Sequence, residues 1–343
     1  MITSRKAISA IFAATLCLAS PARAEEPKYI KFATLAPEGS TWMKVMSEYS
    51  KELTEKTGGK IKFKMYPGGV SGDEKDVVKK VRIGQLHAAG FTGVGLGEIA
   101  PQVRILDAPW LFNSYAEVDH IYKTFDKEFT SAFDKAGYVL LGWTELGFVH
   151  VFSKSPIAGP EDFKKLKMWV WEGDPIAEAA YKALGVTPIS LPIVDVMSQL
   201  QTGMIDTVYG PPLGVIALQW FTRLKYVYAL PMADAAGAVL LSKKFFDTLS
   251  PADQKIVLEL GGKHLRQLNV LTREENLKAL ETLKKQGLTV TGDSSPEAVK
   301  LYAALGQKAR QQLTGKLYSA ELLAQVEKEL DSFRSKSKKA AAK

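Results

Sequence analysis

The chain has 343 residues, 46% apolar and 24% charged, with a formal net charge of +8. That length and apolar content suffice for one or two domains with full cores, and no basic stripe with interleaved aromatics marks a nucleic-acid surface. The single cysteine, Cys17, gives no basis for a disulfide framework, thiolate chemistry or a Cys-based metal site.

The first 24 residues read as a signal peptide. Arg5 and Lys6 precede the apolar run Ala7 to Ala19, and Ala22-Arg23-Ala24 is an A-x-A cleavage site. The run is too short to span a bilayer of about 30 Å. An exported, periplasmic protein cleaved near Ala24 is therefore expected, with no direct membrane insertion and with Cys17 lost on cleavage.

Lys28 to Thr34 alternates as a strand, and an amphipathic helix follows from Ser40 or Thr41 to Thr57, closed by Gly58-Gly59. Lys60 to Tyr66 is a second strand, Asp73 caps a helix ending near Gly84, and His87 to Thr92 is a third strand. This β-α-β-α-β opening predicts a parallel sheet covered by helices. Gly93 to Gly97 lacks the G-x-G-x-x-G spacing and reads as a tight loop. Ala116 to Lys135 is a helix; Tyr138 to Thr144, Val149 to Ser153 and Lys167 to Trp171 are strands. Helices over Pro175 to Leu184 and Val194 to Thr202 precede short strands at Asp206 to Tyr209 and Ala238 to Ser242. A helical pattern of ~35 residues from Pro251 to Gln286, about 50 Å at 1.5 Å per residue, is long enough to brace two lobes, with a possible break at Gly261-Gly262. Pro296 to Leu313 and Ser319 to Phe333 are surface helices, and 334–343 is a basic, disordered tail.

Catalytic equipment is sparse. The four histidines have no metal-ligand spacing, and no nucleophile elbow, Walker loop or EF-hand pattern is present. Neither a metal nor a cofactor is expected. The aromatic stretch from Gly142 to Pro175 stands out: Trp143, Trp169 and Trp171 with Phe148, Glu145, Glu172, Asp174 and the adjoining His150. Clustered indoles near polar groups build pockets for organic ligands, and equally they build cores.

Ordered motifs along nearly the whole mature chain resemble the DctP-type solute-binding proteins of TRAP (tripartite ATP-independent periplasmic) transporters. They include Lys31-Phe32-Ala33-Thr34 with Gly39 and Trp42, Phe63 to Gly69, Leu106-Asp107-Ala108-Pro109-Trp110-Leu111-Phe112, Pro160 to Phe163, Gln201 to Asp206, and Lys243 to Leu249 with Pro251. The resemblance implies an α/β, two-lobed periplasmic-binding-protein-like (type II) fold with hinge strands and a long bracing helix. It divides the chain into lobe I (25–147 plus about 234–275) and lobe II (148–233 plus about 276–333). It also implies a protein that is not an enzyme and that traps a small organic ligand for a TRAP-type membrane permease; separately, a monomer is expected.

The family's Lys-Ile-Arg-Val, whose arginine forks onto a ligand carboxylate, reads Lys167-Met168-Trp169-Val170 here, and a second basic position matches Val149. Its Asp-Gly-x-x-Asn-Pro reads Asp206-Thr207-Val208-Tyr209-Gly210-Pro211. Loss of an arginine fork removes ~2–5 kcal/mol of carboxylate recognition. The expected ligand is therefore not a simple dicarboxylate but a molecule held by aromatic walls, with Trp169, Trp171, Trp143, Phe148 and Tyr209 as those walls and Glu145, Glu172, His150, Asp206 and Gly210 around them. The alternatives are a periplasmic hydrolase or lyase using Glu145 or Glu172, and a ligand-sensing module docking on a receptor.

Overall fold

The computed structural model describes residues 26–341, so the expected leader and Cys17 lie outside the described residues. The chain opens with β1 (Lys28–Ala33), α1 (Thr41–Lys56), β2 (Ile61–Tyr66), α2 (Glu74–Arg82), β3 (Ala88–Thr92) and α3 (Gly93–Ile99). A 3-10 segment, Pro101–Asp107, leads to α4 (Tyr115–Lys135) and the 16-residue β4 (Tyr138–Ser153). Then come α5 (Pro160–Phe163), β5 (Trp169–Trp171), α6 (Pro175–Ala183), β6 (Ile189–Leu191), α7 (Val196–Thr202), β7 (Thr207–Gly210), α8 (Pro212–Ala217) and β8 (Tyr226–Tyr228). The last elements are β9 (Ala233–Ser242), α9 (Lys243–Phe246), α10 (Pro251–Lys285), β10 (Thr289–Thr291), α11 (Pro296–Leu313) and α12 (Ala320–Ala341).

The parallel opening expected from the sequence is present: β1 lies between β2 and β3, parallel to both. β9 continues that sheet antiparallel to β3, and β4 lies antiparallel to β9 from Tyr138 to Val149. At His150, β4 changes partners and pairs with β7 and β8 as far as Ser153. One strand thus belongs to two half-sheets. Alternation along β9 sends Ala238 and Leu240 to a core under α4 and α12, and Val239 and Leu241 to a core under α1 and α10. Separate clusters around Phe152, Val208 and Val227, and around Val151, Val170 and Tyr228, fill the second half. The two-lobed α/β fold follows from these cores.

The two strands expected at 138–144 and 149–153 are a single strand because two register shifts, at Leu140/Gly142 and Glu145/Gly147, absorb the irregular pattern without breaking it. The second shift places Gly147 at φ +100°, where Asn276 of α10 packs within reach of a Cβ. Asn276 donates to Leu146 O (2.8 Å) and accepts from Leu213 N (3.1 Å), tying the bent strand to the second half.

Gly261-Gly262 does not break α10. A Cβ on Gly261 would stand 2.7 Å from Leu141 O, and one on Gly142 would stand 2.8 Å from Leu265. The pair lets helix and strand approach closely, so Gly261 is retained for packing. The tail also differs from expectation. α12 runs on to Ala341, and Arg334 donates to Glu117 (2.7 and 2.9 Å) and to Leu111 O (2.7 Å). Glu117 is buried, and the guanidinium that compensates it anchors this end. Gly93 to Gly97 is α3 rather than a loop, capped by the Thr92 hydroxyl accepting from Val94 N.

Gly261→Ala is expected to lower stability by about 1–3 kcal/mol through overpacking, although alanine favours helix by ~1 kcal/mol. Gly262→Ala meets only the flexible end of Arg266 and should gain up to about 1 kcal/mol. Urea unfolding of both variants tests this; a stabilised Gly261→Ala would refute the close-packing account.

Candidate functional site

A cavity of about 650 Å³ opens where the two half-sheets face each other. Leu35, Trp42, Phe91 and Asp107 line it from the first half, and Trp171, Tyr181, Tyr209 and Trp220 from the second. A Cβ on Gly90 would lie 2.3 Å from the Trp42 ring, so glycine there lets the edge of the indole approach β3 closely.

Two contacts join the halves across this cavity. Arg104, 3% exposed, donates through Nη2 to Asp174 Oδ1 (2.7 Å), while its Nε lies 3.0 Å from Asp107 Oδ2. Asp174 also accepts from the Tyr209 hydroxyl (2.6 Å) and caps α6 through Ile176 N and Ala177 N. At the other contact, Asp73 accepts from the Trp171 indole N–H (3.0 and 3.2 Å) and from Ile193 N (3.2 Å).

Burial shapes the acids here. It pushes the Asp107 carboxyl up to about 6 despite Arg104 and the Ala236 N–H that favour its ionised form. It pushes Glu74 up to about 7, although Thr92 N, Thr92 Oγ1 and Gly95 N all donate to it (2.7–2.9 Å). Asp234, 1% exposed, has no donor to either oxygen, and burial together with Glu145 and Asp107 raises its carboxyl well above the usual range.

Five of the ten residues singled out from the sequence line the cavity: Trp169, Trp171, Glu145, Tyr209 and Gly210. Trp169, 1% exposed, stacks on Tyr209 (centroids 4.9 Å, 24°) and meets Trp220 edge-on, with its indole N–H donated to Leu191 O (2.9 Å). It backs the wall more than it faces the ligand space. Both oxygens of Glu145 accept from Arg273, which also grips Asp119.

The other five lie elsewhere. Trp143 packs edge-on to Tyr122 and Phe129 and donates to Asp126 (3.0 Å), drawn into the α4 core. Phe148 packs on Tyr115. His150 is fixed by Tyr228 O (2.9 Å); a carbonyl only accepts, so Nδ1 carries the proton, and burial lowers the ring's pKa. Asp206 Oδ1 accepts from Lys167 N (2.9 Å), pinning β7 to the segment before β5. Glu172 is exposed, because the turn at Gly173 directs it away while its neighbour Asp174 turns inward.

Arg104, Asp107, Glu74, Asp73 and Asp234 were not among the residues chosen from the sequence. A signal existed for three of them: Arg104 and Asp107 sit at i,i+3 in the apolar run Val103 to Ala108, and Asp234 is a lone charge between Met232 and Ala238. Charges in such settings are buried and partnered, or functional.

The model of the bacterial extracellular solute-binding protein family 7, DctP, matches residues 32–315. The chain belongs to this family. The C4-dicarboxylate-binding periplasmic protein DctP of Rhodobacter capsulatus is 27% identical over 83% of this chain and 87% of its own length. The 2,3-diketo-L-gulonate-binding periplasmic protein YiaO of Escherichia coli is 27% identical over 75% and 78%. A TRAP periplasmic solute-binding protein from Ochrobactrum anthropi superposes with a TM-score of 0.78 at 25% identity, covering 90% of this chain and 97% of its own. One from Ralstonia eutropha, with bound (S)-2-acetolactate, shares the fold with a TM-score of 0.82 at 22% identity. The cavity of this family 7 chain sits between its two half-sheets, and the one arginine that lines it among the described residues is already paired with two aspartates.

The raised Glu74 sets a pH dependence. Its folded pKa, about 7, lies above the ordinary 4.5, so the folded state holds a proton that the unfolded chain releases. Its stabilising contribution is complete below about 4.5 and is lost as pH rises through 7, on the order of 3 kcal/mol in all. Urea unfolding from pH 4.5 to 8 should show Glu74→Gln with a flatter profile than the parent; parallel profiles would refute the assignment.

Proposed function

We propose that this protein is an exported solute receptor that closes over one small organic molecule and presents it to a TRAP-type permease. The observation that carries the reading is the cavity of about 650 Å³, walled from both half-sheets and bridged by Arg104–Asp174 and Asp73–Trp171. Such a volume suits a small ligand enclosed on most sides. Family membership supports transport as the purpose. Relatives named for C4-dicarboxylate and 2,3-diketo-L-gulonate support a small organic solute as the cargo.

The moving bodies in this reading are 25–147 with about 234–275, and 148–233 with about 276–333. The partner exchange of β4 at His150 and the Asn276 clamp on Leu146 support a hinge there. The leader at 1–24, cleaved near Ala24, fits the periplasmic setting of those relatives, and among the described residues no helix is long and apolar enough to cross a membrane. Binding rather than catalysis is supported by the acids once considered for acid–base work: Arg273 holds both oxygens of Glu145, and Glu172 stands outside the cavity.

The aromatic wall sets the ligand preference. Trp169 stands buried behind the wall at the position that resembles the family's carboxylate-binding arginine, so no ionic fork is offered there and the rings it backs, Tyr209 and Trp220, supply apolar contacts instead. The test is native mass spectrometry of protein isolated from the periplasm, with small-angle scattering before and after release of any bound solute. A copurifying small molecule and a larger radius of gyration once it is removed are expected; an unchanged radius would refute lobe closure.

Trp171→Phe keeps the aromatic body but deletes the N–H donated to Asp73. A hydrogen bond to a charged group contributes ~1.5–3 kcal/mol, so solute affinity should fall about tenfold or more, with faster release. Calorimetry with the copurified solute checks this, and an unchanged affinity would show that Asp73 does not hold the closed form.

A further inference from the structure

The ionisable residues of the cavity are one-sided. Among the described residues, seven carboxyl side chains and a single guanidinium lie in its lining. That guanidinium, Arg104, is held by Asp107 and Asp174 together, so the three carry a net negative charge and offer a ligand anion no free cation. The Trp169 indole N–H is spent on Leu191 O and the Trp171 indole N–H on Asp73, so neither serves an anion. Glu145 is balanced by Arg273, but Arg273 is shared with Asp119. Asp234 has nothing: both oxygens are buried without a donor.

Resting on the solute-receptor reading, we infer that the cargo is an organic cation, an ammonium carried on an apolar or aromatic body, with the uncompensated Asp234 region as its counter-charge. An apolar body fits the walls, to which Trp42, Trp171, Tyr209 and Trp220 contribute, and aromatic rings attract a desolvated ammonium. A negative, low-dielectric cavity concentrates cations and repels carboxylates.

Protons are linked to this choice. The groups interacting with Asp234 are Glu145 on β4, Asp107 on the 3-10 segment, Asp119, Tyr115 and Tyr122 on α4, and Arg273 on α10. Burial and the acids among them outweigh Arg273 and raise the Asp234 carboxyl well above its usual range, which favours its protonated form in the empty cavity. An arriving ammonium favours the ionised carboxylate and expels that proton, whereas a neutral molecule of the same shape does not.

Matched probes separate charge from shape: the ethylamine, ethanol and acetate derivatives of phenyl, indolyl and naphthyl rings, titrated calorimetrically into the mature chain in buffers of different ionisation enthalpy. The amines should bind at least tenfold more tightly than the alcohols and release protons, and the acetates should not bind. Asp234→Asn removes the charge with little change in shape and breaks no hydrogen bond; it should abolish the amine's advantage and the proton release while leaving the alcohols unchanged. Alcohols binding as well as amines, tight acetate binding, an unaltered preference in Asp234→Asn, or no binding by any amine would each overturn the cation. Binding by alcohols or acetates would leave the receptor reading standing. That reading falls separately, if lobe closure fails in scattering and no solute of any charge copurifies.

Discussion

A buried arginine shared between two aspartates on opposite halves of the molecule is the constraint around which the rest is arranged. Removing one partner of a buried ion pair costs ~3–5 kcal/mol, because the survivor is left without compensation. Room for the Arg104 group is made in α3: a Cβ on Gly97 would stand 2.9 Å from the arginine methylenes, and one on Gly93 would overlap the Asp107 carboxylate. Asp174 is held in turn by the start of α6 and by Tyr209. A single charge therefore couples the glycine pattern of one half to a helix cap and a strand in the other.

That coupling determines what the cavity can recognise. An arginine engaged by two carboxylates is no receptor for a third, and the indoles beside it have already placed their N–H groups on Leu191 O and Asp73. What remains facing the space is mostly ring and aliphatic surface, with acids beneath. The polarity of the site is set by which side chains line it and not by the fold.

Much of the architecture was legible because it rests on local chemistry. The strand at β1 and the helix start at Ser40 match the sequence pattern, whereas Asp73, expected to cap α2, makes no side-chain cap bond and gives its carboxylate to Trp171 and Ile193 instead. The site was half legible. Trp143, Trp169 and Trp171 stand out as a cluster in the sequence, but Trp143 belongs to a different core, where Asp126 of α4 takes its indole N–H, while Trp169 stacks on Tyr209. The Arg104–Asp174 and Asp73–Trp171 contacts join residues 70 and 98 apart in the chain. No periodicity reports such a pairing. Short strands such as β8 and β10 were missed for the same reason, since their three residues are defined by long-range partners.

The unbroken α10 has a mechanical meaning. It packs on the first half through Val257 to Leu268 and reaches the second through Asn276 and Leu283, so it acts as a rigid strut with both bodies mounted on it. Beside it β4 carries the chain from one half-sheet into the other, so the halves are joined at once by a continuous helix and a continuous strand, and any change in their relative position has to be taken up by both.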